Sequence, residues 1–116
     1  MLRHRFDHDV LVITVVDDPG VTGRAGLAAD IMDLVQVHRH APVLLVVDGA
    51  AATPATVSAV LRVHRQCGDL ETPLSVATRD AATRRLLEAN TDARGPRLVF
   101  DDPAEAATGT DYAPAA

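Results

Sequence analysis

Five short segments, each bounded by turn residues, predict the strands of this chain. Val10 to Val16 and Val43 to Val47 are nearly continuous apolar runs rich in β-branched residues, which is typical of buried strands. Leu2 to Phe6 precedes the first run across a polar turn and predicts an antiparallel hairpin. Pro73 to Ala77 and Arg97 to Phe100 are the two remaining predicted strands.

Apolar residues at helical spacing predict a helix after the second strand and another after the fourth. The first has Thr22 as its N-cap and an apolar face at i, i+4, i+7 and i+8, formed by Leu27, Ile31, Leu34 and Val35. The later helix spans Asp80 to Ala89, and its inward-facing residues are Ala82, Leu86 and Leu87.

The helix between these two has the clearest boundaries. Thr53 is its N-cap and Pro54 stands at the first helical position, where a missing N–H costs nothing. Gly68 is the predicted stop. One face carries Val57, Val60, Leu61 and His64, and His64 is expected at the edge of the core.

The element order β β α β α β α β α predicts a mixed sheet with crossover helices packed on it. At 116 residues there is material for one hydrophobic core, so we expect a single α/β domain over residues 1–107. Asp102 to Ala107 could add a helical turn or two. The small, Pro- and Ala-rich segment 108–116 is predicted to be disordered.

Charge and targeting signals narrow the function classes. Sixteen acidic residues against 11 basic ones give a net charge of −5, which disfavours binding to nucleic acid. No apolar run is long enough for a membrane span and no export signal is visible, so we expect a cytoplasmic protein without membrane insertion. Cys67 is the only cysteine and cannot form an internal disulfide, which agrees with a reduced compartment.

The candidate chemical groups do not form an active-site pattern. His38 and His40 are two residues apart and would point to different helix faces, so we expect no metal site. The pairs Asp17-Asp18 and Asp101-Asp102 each precede a proline, where turn hydrogen bonds are the expected role of Asp. No phosphate-binding loop with Lys-Ser or Lys-Thr is present. We therefore predict no cofactor, no catalytic residue and no enzyme activity.

Two segments resemble the STAS domain family, the fold of bacterial anti-sigma factor antagonists. The segment Val57-Ser-Ala-Val-Leu-Arg-Val-His-Arg65 is similar to the family's L-G-V-L-L-x-L-H-R stretch, and Arg84-Arg-Leu-Leu-Glu88 resembles its V-R-R-V-L-E helix. With the element order, the resemblance covers nearly the whole chain. It implies a STAS-like mixed β-sheet with packed crossover helices and an N-terminal antiparallel hairpin.

The resemblance also places a phosphorylation motif, D-S-S-G, at the start of the second helix. Carried onto this chain, the motif falls on Thr53, Pro54, Ala55 and Thr56, with Ala55 at the phosphorylated serine. Ala55 has no hydroxyl, so the usual modification cannot occur there. The family's earlier G-E-L-D-type segment is replaced by Val16-Asp-Asp-Pro-Gly20, which leaves the identity of the partner open.

Other hydroxyls near this helix start could accept a phosphate. Thr56 and Ser58 lie in or beside the first turn, where the helix dipole tolerates negative charge, and a one-residue shift of the alignment would bring Thr56 to the switch position. Thr53 could also be modified, but capping is its first expected role. The partner-binding residues predicted from the resemblance are Thr53, Pro54, Ala55, Thr56 and Ser58.

The resemblance thus implies a non-enzymatic regulatory protein that binds a kinase-like (GHKL-type) anti-sigma factor or a related signalling partner. Binding would be phosphorylation-independent because of Ala55. The alternative is a structural STAS subunit of a larger complex, or one that pairs with a paralogous STAS protein or as a homodimer. A small enzyme would require a pocket of convergent polar groups that the sequence does not display.

Overall fold

The computed structural model of the protein describes residues 2–39, 41–90 and the backbone of 97–100. Within these ranges the chain forms five strands and three α-helices, in the predicted order. The strands are β1 (Leu2–Asp7), β2 (Val10–Val15), β3 (Val43–Val47), β4 (Leu74–Ala77) and β5 (Arg97–Phe100). The helices are α1 (Gly20–Val37), α2 (Pro54–Asp69) and α3 (Ala81–Ala89), and a 3₁₀ turn spans Gly49–Ala51. The helical turn predicted at 102–107 and the tail at 108–116 lie outside the described residues.

The strands lie in one sheet in sequence order, with β1 antiparallel to β2 and the other neighbours parallel. The hairpin between β1 and β2 closes through His8 and Asp9, both with positive φ (55° and 67°). Two such residues match the twist of the flanking strands in a two-residue turn. The predicted mixed sheet with an N-terminal antiparallel hairpin is therefore confirmed.

The main core lies between the sheet and the helices. Alternate residues of β2 and β3, among them Ile13 and Leu45, are fully buried against α1 and α2, which contribute Ile31 and Val60. The intervening strand residues form a second, smaller buried cluster of Val10, Val12, Leu44, Val46 and Ala77. Both sets of side chains in β2 and β3 are buried, which explains why these strands are continuous apolar runs.

Two predicted helix boundaries are wrong. Helix α1 begins at Gly20, with Pro19 in the capping position, so Thr22 is an exposed residue inside the helix and not its N-cap. Helix α2 passes through Gly68 and ends at Asp69. The positive φ that ends this segment belongs to Glu71 (56°), and the amide of Thr72 donates to the carbonyl of Cys67 at 2.9 Å. Backbone hydrogen bonds, and not the glycine, therefore close the helix.

The predicted inward face of α3 is only partly correct. Leu87 is buried, but Ala82 is exposed and Leu86 keeps 37% of its surface. Thr83 is buried in their place, four residues before Leu87. A nine-residue helix touches the core along one narrow i, i+4 stripe. The hydroxyl of Thr83 is tolerated there because it donates a hydrogen bond to Asp80 Oδ2 at 2.8 Å.

Candidate functional site

The predicted binding residues lie at the edge of the sheet where the parallel strands end. Because β2, β3 and β4 run in the same direction, the loops that follow them meet at this edge, together with the N-termini of α1, α2 and α3. These loops are residues 16–19, 48–53 and 78–80. We call this region the carboxyl edge.

Thr53 is the N-cap of α2, as predicted. Its backbone is extended (φ −131°), and its Oγ1 accepts a hydrogen bond from the Thr56 amide at 3.3 Å. Pro54 occupies the first turn, where a backbone N–H would have no helical partner and proline has none to leave unpaired. The start of α2 is therefore determined by local residues, which is why the sequence predicts it correctly.

Asp18 links the first loop to the start of α2 across 35 positions of the chain. Its Oδ1 accepts from the Thr53 hydroxyl and from the Gly20 amide, both at 2.9 Å. The Thr53 hydroxyl has a single proton, and the carboxylate is the stronger acceptor. The Thr56 hydroxyl, 3.3 Å from Thr53 Oγ1, is then free to donate to that oxygen. The expected turn role of Asp18 is confirmed by its bond to Gly20, but its link to Thr53 was not foreseen.

The five predicted binding residues differ sharply in exposure. Pro54 is exposed, Thr53, Ala55 and Ser58 are half-buried, and Thr56 has no accessible surface. A phosphoryl donor could reach Ser58 in the folded chain, whereas it could reach Thr56 only if the first turn of α2 opened. Ala55, which the resemblance aligns with the family's serine, thus presents a small, partly exposed methyl group.

Asp48 provides a second link along the carboxyl edge, which sequence reasoning missed. It follows β3 directly, and its carboxylate accepts from the amide of Arg79 at 2.6 Å and lies 3.5 Å from Arg79 Nε. The side chain of Arg79 keeps 69% of its surface, against 22% for Asp48. An Asp directly after a buried strand is the only sequence signal for this contact.

Asp80 caps α3 and completes the third loop. Its Oδ2 accepts from the amide and the hydroxyl of Thr83, both at 2.8 Å, and these bonds hold the pKa of Asp80 below its ordinary value. The Asp80 amide in turn donates to Thr78 Oγ1 at 3.1 Å. Asp18, Asp48 and Asp80 thus each bind a backbone amide of the loop or helix start that they orient.

The described residues do not present a metal centre or a membrane helix. No three His, Cys, Asp or Glu side chains within 2–39 and 41–90 are placed to hold an ion together. His38 directly follows α1, with its ring 6.1 Å from that of His4 and 4.6 Å from that of Phe6, measured between centroids. No helix among the described residues is long and apolar enough to cross a membrane.

Comparison with known proteins gives a structural match without a sequence match. No protein-family model matches the chain, and no curated protein matches it in sequence. The structure is similar to that of RsbS from Moorella thermoacetica, in a variant with glutamate in place of a serine, with a TM-score of 0.63 and 10% sequence identity. The match covers 85% of this chain and 86% of the RsbS chain. RsbS is a STAS-domain anti-sigma factor antagonist, so the likeness shows that this chain has the STAS fold.

Proposed function

We propose that this chain is a non-enzymatic regulatory module of the anti-sigma factor antagonist type, acting in the cytoplasm. It binds a protein partner, a kinase-like anti-sigma factor or a related signalling protein, through residues 50–61 at the carboxyl edge. The half-exposed methyl group of Ala55, in the first turn of α2, is the observation that carries this proposal.

The chemistry of this turn favours binding that does not depend on phosphorylation. Ala55 offers no oxygen for a phosphoryl group, and the neighbouring Thr56 hydroxyl is enclosed. A partner that senses charge or bulk at this position therefore meets the same small apolar surface at all times. Of the two predicted acceptors Thr56 and Ser58, only Ser58 is partly exposed, and its modification would be a separate switch.

Hydrogen bonds between neighbouring loops also support the start of α2 before a partner arrives. Asp18 fixes the start of α2 through Thr53, and Asp48 fixes the loop before it through Arg79. Pre-organised loops lose less conformational entropy on binding, which raises affinity without adding contacts.

A pull-down from native cell extract, with and without ATP, tests the proposal. We expect one kinase-like partner to be retained in both conditions, and phosphopeptide mass spectrometry to find Thr53, Thr56 and Ser58 unmodified. Phosphate on Ser58 or Thr56, with loss of the partner when ATP is present, would contradict phosphorylation-independent binding. Recovery of a paralogous STAS protein alone would identify the chain as a structural subunit.

A charged variant localises the binding surface. Ala55→Glu places bulk and negative charge at the first turn of α2, and we expect it to lower partner affinity at least tenfold. Ala29→Glu makes the same change at an exposed position of α1, beside the far end of α2, and should bind as the wild type does. Equal affinities for both variants would place the docking surface elsewhere.

A further inference from the structure

Arg79 is anchored at the carboxyl edge through its backbone amide, while most of its side chain is exposed. The Asp48 carboxylate accepts from its amide at 2.6 Å and lies 3.5 Å from Nε. These contacts engage the backbone and the inner side of the guanidinium group. Within residues 2–39 and 41–90, no hydrogen bond from its two terminal nitrogens is observed, and the side chain is 69% exposed.

The orientation of Arg79 suits it to bind an anionic group. A guanidinium group presents its donors in a planar fork that pairs with a carboxylate through two parallel hydrogen bonds. The Asp48 carboxylate faces Nε, which leaves the two terminal nitrogens of the guanidinium group available to a partner carboxylate.

Arg79 is continuous with the surface at the start of α2. Asp48, which contacts Arg79, directly precedes the 3₁₀ turn Gly49–Ala51, and this turn leads to Thr53. The chain as a whole carries a net charge of −5, and Asp17 and Asp18 are exposed at the same edge. A partner carboxylate would be repelled by most of this edge and attracted at Arg79, so the arginine would set the register of binding.

We infer that Arg79 contacts the partner directly, so that the docking surface extends from α2 to the β4–α3 loop and pairs there with a carboxylate side chain of the partner protein. This inference rests on the proposed function, because it concerns the same surface. It adds a residue that the resemblance did not indicate and specifies the chemistry of the group that it meets.

The experiment uses the partner protein recovered with the wild-type chain, purified and titrated against variants. We expect Arg79→Ala to lower affinity about tenfold, because arginine is enriched among the interface residues whose truncation costs most. Arg79→Lys should be intermediate, because it keeps the charge and loses the fork. Arg65→Ala, an exposed arginine farther along α2, is the matched control and should bind within twofold of the wild type.

Salt dependence separates a direct contact from a structural effect. The affinity of the wild type should fall more steeply with added NaCl than that of Arg79→Ala, because the variant lacks one charge pair. If Arg79→Ala binds as Arg65→Ala does, or shows the wild-type salt dependence, the inference is wrong while the proposed function stands. If the wild type recovers no partner, the proposed function itself fails, whereas normal binding by Ala55→Glu would place the docking surface elsewhere.

Discussion

Removing the hydroxyl of Thr53 tests whether the Asp18–Thr53–Thr56 hydrogen bonds stabilise the start of α2. Thr53→Val keeps the shape of the side chain and deletes its only polar atom. The Thr56 amide then loses its capping acceptor at 3.3 Å, and Asp18 loses a donor at 2.9 Å. Asp18 is exposed and will be solvated by water instead, so its loss is partly compensated.

The expected cost follows from these distances. Loss of an N-cap acceptor destabilises a protein by about 0.5–2 kcal/mol, and the long amide contact places this case in the lower half of that range. The solvated Asp18 link adds about 0.5 kcal/mol. We therefore expect the free energy of unfolding to fall by about 1–1.5 kcal/mol, and Tm to fall by roughly 5 °C.

Urea unfolding followed by far-UV circular dichroism measures this change, provided that the m-value stays constant. Thr53→Ser retains the hydroxyl and should lose less than about 0.5 kcal/mol. Thr22→Val makes the same chemical change in α1, where the threonine is exposed and caps nothing. A double-mutant cycle with Asp18→Ala isolates the coupling between the two loops. If Thr53→Val is no less stable than Thr22→Val, the hydrogen bonds do not contribute as argued.

Three further predictions concern stability and reactivity. Leu45→Ala changes the fully buried centre of β3 and should lower the free energy of unfolding, measured in urea, by about 2–5 kcal/mol. Leu86 is 37% exposed, so Leu86→Ala should lower it by less than about 1 kcal/mol. Equal losses would contradict the assigned core. Burial raises the pKa of Cys67 from 9.0 to about 11, so the folded thiol should resist iodoacetamide at pH 8. The unfolded thiol ionises at a lower pH than the folded one, so the free energy of unfolding should fall as pH rises from 9 to 11 in the wild type but not in Cys67→Ala. The hydrogen bonds from Thr83 lower the pKa of Asp80 below 3.8, so the stabilising contribution of this carboxylate is present above that pH and lost in acid. As pH falls from about 4 to 2, Asp80→Asn should therefore lose less free energy of unfolding than the wild type does.

Much of the fold could be predicted because its signals are local. The strands β2 and β3 are buried on both faces, so their apolar character is continuous and visible in the sequence. Thr53 and Pro54 determine the start of α2 through contacts within four residues. The beginning of α1 and the end of α2 were predicted wrongly, because a plausible capping residue lay near each and the backbone used other partners.

The candidate site was only partly accessible to sequence reasoning. The resemblance directed attention to the start of α2, and Ala55 could be identified there from the aligned motif. The burial of Thr56 could not be identified from the sequence, because a threonine in a first helical turn points outward or inward according to how the helix is rotated against the sheet. Ser58 and Thr56 look alike as phosphate acceptors in the sequence, but in the structure Ser58 is half-buried and Thr56 has no accessible surface.

Residue identity and short-range periodicity are enough to establish the element order, the buried strands and the absence of a hydroxyl at position 55. The contacts of Asp18 with Thr53 and of Asp48 with Arg79, across 35 and 31 positions, arise only when the chain folds. Parallel strands bring the loops that follow them to one edge whatever their separation in sequence. Which side chains then come within hydrogen-bonding distance depends on strand register and loop conformation, and no local pattern encodes either.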